Sequence, residues 1–169
     1  IDFTTTSIGS RLLKKWLNFP LKSIEKLKLR HDFVEVLLDE KKLTENLITH
    51  LKKIVDIERI ASKIATAKVN PRELVSLKRS IAEIQKIKTT FEKNSNDLIV
   101  KTGKKLVTCK TIFCKIDKTI KEDVPVSISK GNFIAEGFSK ELDELRGILK
   151  DGKSMLDKIL KKELLKNDI

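Results

Sequence analysis

Three prolines and six glycines are all that this chain of 169 residues has with which to interrupt a helix. Apolar residues at three- and four-residue spacing therefore propagate as helix until a cap or a polar gap stops them. Such spacing recurs along nearly the whole sequence. The predicted class is mainly α: long antiparallel helices forming a helical core with an extended arm, and one small extended or hairpin insertion near residues 124–134.

The sharpest helix start is Asn70-Pro71-Arg72-Glu73. Asn caps, Pro fits the first helical position, and Glu lies three residues after the cap. The helix that follows carries Leu74, Leu77, Ile81, Ile84, Ile87 and Phe91 and stops near Asn94-Ser95-Asn96. Upstream, Thr6 or Ser7 can cap a short amphipathic turn, and Gly9 admits a close backbone. Leu12, Leu13, Trp16 and Leu17 fall on one face of it, and Asn18-Phe19-Pro20 breaks it. Ser23 can cap a helix to about Leu38. Thr44-Glu45-Asn46 can start a short helix with Leu47, Leu51 and Ile54 inward, and helical spacing continues through Asp56-Ile57-Glu58-Arg59 to Ala65. A single long pattern covers Leu98 to Ile120, weakened but not forbidden by Gly103. Val124 to Ile134 alternates instead, with a turn at Lys130-Gly131-Asn132. Ser139 then caps a long terminal helix. Its Leu142, Leu145, Leu149, Met155, Leu156 and Ile159 approach heptad spacing, and Gly147 and Gly152 admit a neighbouring helix.

The net charge of +12 favours polyanion partners, nucleic acid or an anionic surface, without choosing between them. Lysine pairs are spread along the chain, so a diffuse positive field is expected, not a sequence-reading patch. Few aromatics and no tyrosine argue against a surface that stacks single-stranded bases. No apolar run is long enough to cross a membrane. Two cysteines do not build a disulfide framework, and a reduced cytoplasmic setting fits. Cys109 and Cys114 read as two buried small hydrophobes. The start Ile1-Asp2-Phe3 has the look of a piece of a longer protein.

Chemistry is sparse. Gly103-Lys104-Lys105 lacks the earlier Gly and following Ser or Thr of a phosphate cradle. His31 and His50 have no ligand-spaced partners, so no metal site is expected. Glu141, Asp143 and Glu144 crowd one helical turn, where the helix dipole favours acid without any catalytic role. Glu58 and Arg59 read as helix-surface charges, one of them able to pair internally. Catalytic, cofactor and metal residues are all predicted to be none.

The opening Thr6-Ser7-Ile8-Gly9-Ser10-Arg11-Leu12-Leu13-Lys14-Lys15-Trp16-Leu17-Asn18-Phe19-Pro20-Leu21 resembles the T-x-x-G-x-R-L-L-x-x-W-L-x-x-P-L segment that opens the core, or lever, domain of the MutS-family DNA mismatch repair proteins. Three further segments agree in the family's order. Arg30 to Leu37 is similar to its R-x-x-x-V-x-x-L helix. Asp56, Glu58 and Arg59, with Asn70-Pro71-Arg72-Glu73-Leu74, resemble its D-L-E-R and N-P-R-[DE]-L pair. Ile134 to Arg146, with Glu141-Leu142-Asp143-Glu144-Leu145-Arg146, resembles I-x-x-G-[YF]-x-x-E-L-D-E-L-R. The chain departs at Ile8, where Met is common, at Phe138, where Tyr is common, and at Ala67-Lys68-Val69, which replaces a more Gly/Arg-rich stretch.

The resemblance implies a core/lever fragment of bacterial type, with residues 1–135 as helical core and 136–169 as a long helix leading towards a clamp. It implies a non-catalytic module that links an ATPase domain to a DNA clamp and supports non-specific DNA contact. Partners are then the other domains of the same protein and, through the full-length protein, mismatched double-stranded DNA. The parent is expected to be a homodimer that uses ATP and Mg, with no cofactor in this fragment and no membrane. Gly9, Arg11, Leu12, Leu13, Trp16, Leu17, Pro20, Asp56, Glu58, Arg59, Asn70, Pro71 and residues 141–146 are its motif positions. Leu12, Leu13 and Trp16 would anchor the opening helix in the core. The alternative from a different class is a stand-alone helical protein-interaction module.

Overall fold

The computed structural model describes residues 1–125, 129 and 131–166. Among the described residues eight helices follow in order: α1 (Ser7–Asn18), α2 (Ile24–Asp39), α3 (Lys41–Leu51), α4 (Ile57–Ala65), α5 (Pro71–Glu92), α6 (Asp97–Lys105), α7 (Lys110–Thr119) and α8 (Lys140–Lys166). The fold is mainly α. Two compact units divide the chain, Ile1–Phe133 and Ile134–Ile169.

Helix starts follow local chemistry. The Thr6 hydroxyl accepts the Gly9 N–H at 3.0 Å, and Ser23 accepts that of Lys26 at 3.4 Å. The Asn70 side chain accepts the Arg72 N–H, and the Glu73 carboxylate accepts the Asn70 N–H at 3.0 Å, a complete capping box. Ser139 accepts the Leu142 N–H ahead of α8.

In the first unit, α5 packs against α3, α4, α6 and α7. One apolar cluster gathers Ile60, Val75, Leu77, Ile81, Ile116, Ile120 and Val124. Another gathers Leu43, Ile87, Phe91 and Ile99, with Phe33 and Leu37 packed on it. Phe33 meets Phe91 edge to face, centroids 6.5 Å apart.

Two expected continuities are broken. The pattern from Thr44 to Ala65 splits, because α3 ends at Leu51 and Asp56 caps a new helix by accepting the Arg59 N–H at 3.2 Å. The pattern from Leu98 to Ile120 splits after Lys105. Leu106 turns to extended backbone, and Cys109 takes a left-handed conformation, φ 40°, before α7. Periodicity carries through a turn when the turn itself is short and apolar, so spacing alone could not reveal either break.

Val126, Ser127, Ile128 and Lys130, within the expected hairpin, lie outside the described residues. Gly131 and Asn132 both have positive φ, and the Lys121 N–H donates to the Phe133 carbonyl at 2.9 Å.

Candidate functional site

The motif residues sort into a joint around α1, a tie between α4 and α5, and a turn ahead of α8. At the joint, Arg11 lies on α1 and Asp56 caps α4, 45 residues away in sequence. Arg11 Nη1 and Nη2 each donate to one Asp56 oxygen at 2.7 Å. Its Nε and Nη2 also reach Glu58 Oε2, at 3.0 and 2.6 Å. A planar fork with paired carboxylates is the geometry that arginine alone supplies. The Arg11 hydrogen bonds hold the Asp56 carboxyl down at about 2, and the two acids push the guanidinium pKa up. Glu58 therefore pairs across elements, whereas Arg59 contributes its backbone N–H to the Asp56 cap.

The expected apolar anchoring of α1 is not what holds it. No residue of α1 is buried. Trp16 is 39% exposed and Leu12 43%, Leu17 is more open still, and Leu13 is only partly covered. Trp16 instead stacks on Arg30 of α2, with the guanidinium carbon 3.5 Å from the ring centroid. The amphipathic pattern is helical as expected, but Trp16 meets Arg30 and Leu12 and Leu17 meet solvent, so the expected packing of this face in the core is not found. Gly9 lies close to the chain's own Thr4 and Thr6. Pro20 follows the end of α1 and is exposed.

Between α4 and α5, Glu73 serves twice. It closes the capping box with Asn70 beside Pro71, and it accepts from Lys63 Nζ. Both lower its pKa, Lys63 the more. In the second unit, Asp143 accepts the Gly137 N–H at 2.7 Å and pairs with Arg146 at 3.0 Å. Arg146 also donates to the Ile134 carbonyl at 3.0 Å. Leu142 is partly covered, while Glu141, Glu144 and Leu145 are exposed. Among the described residues, nothing beyond the helix's own backbone would lie within 4 Å of a Cβ at Gly147 or Gly152.

Sequence reasoning missed the polar residues that α5 buries. Ser80 is fully enclosed; its hydroxyl donates to the Ser76 carbonyl and accepts the Val55 N–H at 3.1 Å. Glu83 lies 2.6 Å from His50 Nδ1 on α3 and 2.8 Å from Lys86 Nζ. Lys86 first, then His50, hold the Glu83 carboxyl at about 2. Burial depresses the Lys78 ammonium, but Glu122 and Asp117 outweigh it and the net shift is upward. The signal was present: Ser80, Glu83 and Ile87 fall at i, i+3, i+7, the register of the apolar face.

Cys109 and Cys114 are free and exposed, not buried. Cys109 precedes α7 and Cys114 lies midway along it, and neither joins the apolar cluster to which Phe113 and Ile116 of the same helix belong. Among the described residues no group of three or more His, Cys, Asp or Glu could hold a metal ion. No described helix is long and apolar enough to cross a membrane. A Cβ at Gly103 would lie 2.7 Å from Phe91 Cβ, so this glycine serves close helix packing within α6.

The family model for MutS domain III matches residues 1–167. The chain is 41% identical over 169 residues to the DNA mismatch repair protein MutS of Christiangramia forsetii, covering 100% of this chain and 19% of that protein. It is 44% identical over 163 residues to that of Flavobacterium johnsoniae, covering 96% of this chain and 19% of the relative. With MutS of Caldicellulosiruptor bescii the identity is 39% over 163 residues, again 96% and 19%. The chain thus spans about a fifth of the length of these relatives. It belongs to the MutS domain III family.

Proposed function

We propose that this chain is a non-catalytic structural and coupling module of a DNA mismatch repair protein, linking an ATPase domain to a DNA clamp. The observation that carries the reading is the Arg11 fork on Asp56 and Glu58. A discrete charged latch joins two helices that share little apolar packing, and coupling over distance needs packed elements with two arrangements. The parent protein would act on mismatched double-stranded DNA as a cytoplasmic homodimer, with ATP and Mg in its ATPase domain. The positive charge of this chain would add non-specific phosphate attraction.

The test is Arg11→Ala in the full-length protein. Basal ATP hydrolysis should persist while its response to DNA weakens. An unchanged response would refute the latch as part of the coupling. Binding of the 169-residue chain to duplex DNA across a salt series tests the second element: affinity should fall steeply as salt rises, and no binding even at low salt would remove it.

A further inference from the structure

Helices α2 and α6 flank an open groove of about 470 Å³. Leu29, Phe33 and Leu98 line it with apolar surface. Lys26, Lys101 and Lys105 stand along it, and none makes an ion pair with another described residue. Among the described residues no carboxylate lines the groove. Arg30 closes one side, held in place by Trp16.

The spacing has a direction. Lys26, Arg30 and Phe33 fall at i, i+4, i+7 on α2, and Leu98, Lys101 and Lys105 at i, i+3, i+7 on α6, so each helix presents one face. From Leu98 to Lys105 the α6 wall runs about 10 Å, two turns of a facing helix. We propose that this groove docks an acidic amphipathic helix. Its apolar side chains would meet Leu29, Phe33 and Leu98, and its carboxylates would face Lys26, Lys101 and Lys105. Helix-in-groove recognition uses this division between apolar anchors and charged flanks. A phosphate backbone satisfies the lysines but leaves the floor uncovered, which favours a peptide over nucleic acid.

The probe is a labelled amphipathic peptide of about four turns, with leucines at i, i+3, i+4, i+7 and glutamates flanking them. Anisotropy with the full 169-residue chain reads binding, and the fluorescence of Trp16, the sole tryptophan, reads occupancy beside Arg30. The expected Kd is on the order of micromolar. Lys101→Glu with Lys105→Glu should weaken it at least about tenfold, and Leu29→Ser about fivefold, because truncating central contacts dominates such interfaces. All three positions are exposed, so the variants should retain the parent's far-UV circular dichroism. Equal binding of a scrambled peptide, binding unmoved by the lysine reversals, or binding of duplex DNA alone would overturn the proposal.

Discussion

Gly103→Ala tests whether α5 and α6 meet as closely as described. Alanine is the better helix former by about 1 kcal/mol, so propensity alone predicts stabilisation. The new Cβ, however, would lie 2.7 Å from Phe91 Cβ, 3.3 Å from the Glu92 nitrogen and 3.4 Å from the Phe91 carbonyl carbon. Carbon pairs rest at about 3.5–4.0 Å, so α6 must retreat by roughly 0.8 Å. No side chain can rotate aside, since the opposing atoms belong to the α5 backbone and its first side-chain carbon. Retreat loosens Ile99, which is fully enclosed, from Ile87 and Phe91. Overpacking of this kind costs about 1–3 kcal/mol, which outweighs the propensity gain and leaves a net loss of about 1 kcal/mol. Urea unfolding of the chain should give a lower midpoint at unchanged slope. Gly147→Ala is the comparison: with nothing within 4 Å, propensity acts unopposed, and α8 should gain about 1 kcal/mol in helix stability. A Gly103→Ala midpoint at or above that of the parent would refute the close approach.

Ala67 follows α4 at φ 53°, and the Lys68 N–H closes the helix end onto the Lys63 carbonyl at 2.8 Å. Ala67→Gly should stabilise the chain by about 0.5–1 kcal/mol, after the greater freedom of the unfolded chain is subtracted, and so raise the thermal midpoint. Arg11→Ala should release the Asp56 carboxyl upward from about 2 towards its ordinary 3.8, as followed by NMR titration; the remaining Arg59 N–H bond keeps the return incomplete. Trp16→Ala removes a half-exposed stack on Arg30, so its cost should be about 1 kcal/mol in the same urea assay; a loss on the order of 3–5 kcal/mol would mean a core tryptophan. Glu83 has a depressed pKa, so its contribution is present above its ordinary 4.5 and is lost as pH falls from there through about 2. Glu83→Gln should flatten that part of the stability–pH curve, and an unchanged acid limb would refute the His50–Glu83–Lys86 arrangement.

What the sequence revealed was local. Asn70-Pro71-Arg72-Glu73 specifies its own cap with side chains three residues apart, so α5 begins where four residues say it must. Ser23 and Ser139 act in the same way. The fate of an apolar face is not local. Trp16 and Leu12 form one side of a genuine helix, yet their exposure depends on what stands opposite, which helical spacing does not encode. The breaks at Lys52 to Asp56 and Leu106 to Cys109 hid for a related reason: apolar residues at their edges pack on the same clusters as the helices they separate. Asp56 was nevertheless a readable cap, an acid three residues before Arg59 at the start of an apolar turn. Arg11 and Asp56 could be named as motif positions, but the fork between them needed coordinates to bring 45 residues of intervening chain back on itself.

Helix α5 is long enough, at 22 residues and about 33 Å, to hold the two apolar clusters at different stretches of its length. Ile81 belongs to the first and Ile87 to the second, with Glu83 between them bound to His50. A shared spine with separate cores permits partial opening: α4 and α7 can melt from one stretch while α3 and α6 stay on the other. Amide exchange along this single helix would then divide into two protection classes, with the boundary at Glu83.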